Sequence, residues 1–162
     1  MARFSFATLL LATALLQATF IPATGLMGIF PDVVLVFLLI WSATHGVAEG
    51  MVWAFGLGLW MDLLTLEPLG THGIALLAVA VIGGAAQGRL FRSGAILPVV
   101  TVVVATLAYG LVGTVVALAR GETVYLASGA RLAVMTALLN ALLVPIAYGL
   151  LLVFDRWIPR RV

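Results

Sequence analysis

From Ala95 to Ala119 the chain carries no charged side chain, and the run is too long and too uniformly apolar to sit in water. A helix rises about 1.5 Å per residue, so such a run reaches across a hydrocarbon core about 30 Å thick. The rest of the chain has the same character. Apolar segments run from Phe4 to Ile21, Val33 to Thr44, Val47 to Leu66, Leu69 to Gln87 and Leu132 to Phe154, with short polar breaks between them. With 64% hydrophobic and 9% charged residues, the chain lacks the polar surface that a soluble domain needs. The expected fold class is an all-α integral membrane protein, a single six-helix transmembrane bundle over residues 1–162. The spans are expected at about 4–21, 32–44, 47–66, 69–87, 95–119 and 131–154.

The second segment is the short one, with only about 18 Å of helix. It and the third segment form either a thin-spanning pair or a re-entrant hairpin joined at His45-Gly46, and both choices keep the number of crossings even. Pro31-Asp32 suits a helix start, because proline in the first turn gives up no needed donor and an acid there faces the positive end of the helix dipole. The first segment follows Met1-Ala2-Arg3 as a signal peptide would, but it is long and no small-x-small site closes it. It is expected to remain as the first span, ended by Pro22. Ser128 is the expected cap of the sixth helix, and Pro145 should kink it.

Arginine placement sets the orientation. With the N-terminus in the cytoplasm, Arg3, Arg89, Arg92, Arg156, Arg160 and Arg161 fall inside, and Arg120 and Arg131 fall outside. The inverted arrangement reverses that balance, so both termini are expected to be cytoplasmic. Arg89, Arg92, Arg160 and Arg161 should then meet anionic lipid headgroups, at about 1 kcal/mol each. Scattered at the ends of apolar runs, these cations orient a membrane protein and do not suggest a nucleic-acid partner. The chain has no cysteine, which excludes thiol and disulfide chemistry. It also has no glycine-rich phosphate loop, metal-ligand cluster or serine-histidine arrangement, so no catalytic, cofactor-binding or metal residues are expected.

The polar side chains inside apolar runs are the candidates for function, because an acid at the bilayer centre costs about 2.5–3.5 kcal/mol. Asp32 and Asp62 should lie at similar depth toward the outer interface on adjacent helices. They could share a proton, bind a cation or hydrogen-bond the backbone of the outer loops. Alternatively, Asp32 simply caps its helix and Asp62 ties down the following turn. Trp60-Met61-Asp62 is not the Gly-x-Gly-Asp setting of an intramembrane aspartyl protease. Glu49 falls in the first turn of the third helix, where the dipole favours it. Thr13 and Gln17 share one face of the first helix and could hydrogen-bond a partner helix, as could Asn140 from the sixth. His45 and His72 lie in turns on opposite sides of the membrane. Gly84 and Gly88 form a small-xxx-small pair, and Gly56 and Gly58 thin the third helix. Trp41, Tyr125 and Trp157 are placed as interfacial aromatics.

From Pro31 to Gly70 these residues take on a recognisable order. Pro31-Asp32 opens a short helix with Trp41 near its end. Glu49-Gly50, Gly58-Leu59-Trp60-Met61-Asp62 and Pro68-Leu69-Gly70 follow. This order resembles MreD, the rod shape-determining membrane protein family of bacteria. The resemblance implies a non-catalytic scaffold of the elongation machinery in the cytoplasmic membrane. It would bind MreC directly and act with MreB filaments, the RodA glycosyltransferase and a class B penicillin-binding protein. It also implies a six-helix fold similar to the substrate-binding subunits of energy-coupling-factor transporters. A vitamin-binding subunit of such a transporter is the alternative function. The residues expected to carry structure or partner binding are Thr13, Gln17, Pro31, Asp32, Glu49, Gly58, Asp62, Pro68 and Gly70.

Overall fold

A computed structural model describes residues 2–23, 30–90 and 96–157, which form helices and no strands. The helices are α1 (Ala2–Ala23), α2 (Val33–His45), α3 (Val47–Thr65), α4 (Thr71–Ala85), α5 (Ile96–Ala119) and α6 (Leu126–Trp157). By length and composition α3, α5 and α6 can each cross a membrane; α2 and α4 are apolar but shorter. The chain is thus a helical membrane protein.

At the centre lies α2. Its residues from Val34 to Ala43 are all buried, and it touches each of the other five helices. The sequence dictates this place, because Val33-Val34-Leu35-Val36-Phe37-Leu38-Leu39-Ile40-Trp41 is apolar on every face, and a helix of that kind is buried all round. Its thirteen residues make about 20 Å of helix, so a wrapped core helix does not have to match the bilayer thickness. Trp41, expected at an interface, instead lies in this core and stacks on His45 at 3.8 Å between ring centroids. Tyr125 is exposed, as a belt residue would be, and the Trp157 side chain lies outside the described residues.

The α2–α3 hairpin turns on a single residue, Gly46, at φ 98°. Only glycine takes up that backbone conformation without strain. Across the core, α3 and α4 approach until backbones touch. A Cβ at Gly58 would lie 2.5 Å from the nitrogen of Gly73, and one at Gly83 would lie 2.6 Å from the carbonyl oxygen of Leu39 on α2. Between apolar helices in a bilayer there is little water to exclude, so close van der Waals packing of this kind holds α2, α3 and α4 together.

Several element ends differ from the sequence reading. α1 continues through Pro22 to Ala23, and α4 is trimmed to Thr71–Ala85. Gly88 therefore lies in a turn at φ 72°, so Gly84 and Gly88 are not a helical pair; Gly84 packs alone against Val47. α6 begins at Leu126, ahead of the expected start. Ser128 lies inside it and donates to the carbonyl of Tyr125 at 2.9 Å. Arg131 accordingly sits on the helix and not in a loop. Hydropathy marks where a segment becomes apolar, whereas the backbone coils earlier wherever residues tolerate it. Pro145 lies inside α6 as expected. Arg92, Arg160 and Arg161 lie outside the described residues.

Candidate functional site

A helix start leaves backbone N–H groups without intrahelical partners, and inside a bilayer no water replaces them. Two half-buried helix starts in this bundle solve that problem with side chains, and these carry most of the expected site residues.

The first is the start of α2. Asp32 is its N-cap, and Oδ1 accepts from the Leu35 amide at 2.9 Å. Gln17 of α1 acts as a clamp: Oε1 accepts from the Val34 amide at 3.2 Å, and Nε2 donates to Asp32 Oδ1 at 3.0 Å. The amide of Asp32 itself donates to Oδ1 of Asn140 on α6 at 2.7 Å. Asn140, fully buried, passes its own Nδ2–H to Thr106 on α5 at 3.0 Å. One polar chain thus ties α1, α2, α5 and α6 together. Pro31 precedes the cap directly, where it fixes the chain's entry.

The second is the start of α4. Its N-cap is Gly70, which has no side chain to offer. Asp62, one helix earlier and fully buried, supplies the carboxylate instead. Oδ2 accepts from the Gly70 amide at 2.6 Å, while Oδ1 accepts from the His72 amide at 2.9 Å and from His72 Nδ1 at 2.8 Å. The turn between is built for this contact. Leu66 closes α3 in the left-handed region at φ 56°, Pro68 accepts from the Thr71 amide and hydroxyl, and Gly70 turns back at φ 100°. Asp62 therefore serves as the missing cap of α4, with the negative carboxylate on the positive end of the helix dipole.

Asp32 and Asp62 each lie one helix length from the Gly46 turn, yet no hydrogen bond joins the two carboxylates among the described residues. Each is committed to a helix start. Thr13 sits on α1 with its hydroxyl donating to the Leu10 carbonyl of its own helix at 2.9 Å. Glu49 is half-buried in the first turn of α3. Gly58 makes the α3–α4 contact described above, while Gly56 faces open space. His45 ends α2 and His72 begins α4, at opposite ends of α3. Among the described residues no group of three or more His, Cys, Asp and Glu could hold a metal ion.

Sequence reasoning undervalued Asn140, which is as central as Asp32; a lone amide in an apolar helix was the available signal. It missed Arg120 and Tyr109. Arg120 donates to Thr71 Oγ1 at 2.8 Å and pairs with Glu122 and, at 4.0 Å, Glu67, which ties the α5–α6 connection to the α3–α4 turn.

The model of the family described as rod shape-determining protein MreD matches residues 1–154. The chain belongs to the MreD family. The match extends well past the Pro31–Gly70 stretch that carried the resemblance, and takes in Gln17, Thr106 and Asn140. No curated protein and no solved structure matched the chain. Membership in MreD places the chain among bacterial membrane proteins that determine rod shape.

Proposed function

We propose that this MreD-family chain is a non-catalytic scaffold of the bacterial elongation machinery that holds MreC. In this reading the bundle crosses the cytoplasmic membrane six times, keeps both termini in the cytoplasm and resembles energy-coupling-factor substrate-binding subunits in its six-helix arrangement. A transmembrane helix of MreC docks on the outside of the bundle. MreB, RodA and a class B penicillin-binding protein act in the same assembly.

The observation that carries this reading is where the inward polar groups are spent. Asp32, Gln17, Asn140 and Asp62 are taken up by backbone amides, by one another and by the side chains of Thr106 and His72, as suits a rigid platform. A firmly held helix set keeps its outer faces in a fixed geometry, which a docked helix requires. The test is a mild-detergent pull-down of the tagged chain from its native membrane, read by mass spectrometry. Recovery of MreC with other elongation proteins supports the scaffold. Recovery of paired ATPases and a coupling membrane subunit in their place replaces it with a transporter component.

A further inference from the structure

Between α4, α5 and the start of the α5–α6 connection lies a cleft of about 260 Å³. It is lined by His72, Tyr109, Glu67, Glu122 and Arg120, with Ala75, Gly113 and Ala117 among the small residues that leave it open. At about 30 Å³ per water, that space holds on the order of eight waters, or one small organic molecule.

Its chemistry is directional. Asp62 accepts from Nδ1 of His72, so while the imidazole is neutral its other nitrogen, Nε2, keeps a lone pair. Tyr109 stands beside it, the two rings tilted and 6.4 Å apart. Glu67 and Glu122, both partly exposed, line it as well. Arg120 is the one cation in the lining, and its charge is already taken up by Glu122 and, more loosely, by Glu67. The lining thus carries two carboxylates against one guanidinium, with an aromatic ring and an imidazole beside them.

We infer that this cleft binds a small organic cation through its ammonium group, held by Glu67, Glu122 and His72 with the Tyr109 ring against it. An ammonium has donors for each of these acceptors and is attracted to an aromatic face, whereas an anion meets repulsion from the same set. Arg120 acts as the resident competitor for the two glutamates. The inference does not depend on MreC docking.

The test uses the full chain in phosphatidylcholine nanodiscs, titrated calorimetrically with cadaverine, with pentanol and glutarate as neutral and anionic controls and empty nanodiscs as blank. Cadaverine is expected to bind saturably while both controls do not. Glu67→Gln with Glu122→Gln should weaken it at least tenfold. Tyr109→Leu should weaken it about fivefold, more than Tyr109→Phe, which keeps the ring. Arg120→Gln should tighten binding by a few fold, a sign that loss of fold cannot produce. Nα-acetyl-lysine amide in the same titration separates two sources of the ammonium. Tighter binding than cadaverine assigns the site to a lysine of a partner polypeptide, and weaker binding assigns it to a free amine. Equal heats from cadaverine and its controls, or no change in the double glutamine variant, would overturn the inference.

Discussion

The starts of α2 and α4 face the same physical problem and reach different solutions. Both are half-buried helix N-termini whose free amides are met by side chains. α4 is capped from close by: Asp62 reaches donors eight and ten positions along the chain, across a turn held by Pro68 and Gly70. α2 carries its own cap in Asp32 but depends for the rest on Gln17, fifteen positions away, and on Asn140, 108 positions away. The first is a local knot that forms as soon as α3 and α4 pair. The second exists only when α1, α5 and α6 have all been brought in. The first therefore organises a hairpin, and the second organises the bundle.

Substitutions can break or sharpen that contrast. The largest effect is expected from Asp62→Ala. It takes the acceptor away from two half-buried backbone amides and the His72 ring, and an orphaned buried donor costs about 1–3 kcal/mol. Thermal unfolding in detergent should show a loss of roughly 3 kcal/mol or more. Gly58→Ala should follow, at about 1–3 kcal/mol, because the added methyl meets Gly73 backbone that has no soft rotamer to yield. Its control is Gly56→Ala, where nothing is near; the same exchange there should gain up to about 1 kcal/mol of helix stability.

The distant knot should respond more gently. Asn140→Ala removes the donor to Thr106 and orphans one amide, that of Asp32, against the three donors orphaned by Asp62→Ala, so a loss of about 1–3 kcal/mol is expected. Its signature is loosened α5–α6 packing, read as faster amide exchange in those helices with α3–α4 unchanged. Asp32→Ala should be the mildest, at about 1 kcal/mol for a lost cap, because Gln17 still holds the Val34 amide and Asn140 still holds the backbone of residue 32. If Asp32→Ala proved costlier than Asp62→Ala, the ranking of local over distant knot would be reversed.

The same contrast explains what the sequence made legible. Apolar runs marked every helix, because a bilayer demands them. The Asp32 cap and the Pro68-Leu69-Gly70 turn were readable because their partners are near in sequence, and the family resemblance rested on that stretch. The burial of α2 on all faces was implicit in its composition, and its shortness follows from that burial. Gln17 reaching Val34, and Asn140 joining Asp32 to Thr106, could not be read from one chain. Periodicity says which residues share a helix face, but not which helices meet or in what register. The early start of α6 escaped for a related reason, since hydropathy does not record where the backbone begins to coil.

The most direct test of the scaffold account is MreC recovery from native membranes with the tagged wild-type chain, Asp62→Ala and Asp32→Ala, each normalised to the amount of tagged chain extracted. The account predicts a clear loss of MreC with Asp62→Ala and a smaller one with Asp32→Ala, in the order of their effects on the fold. Full and equal recovery with both variants would contradict it, because the platform would then hold MreC without the contacts that fix its helices.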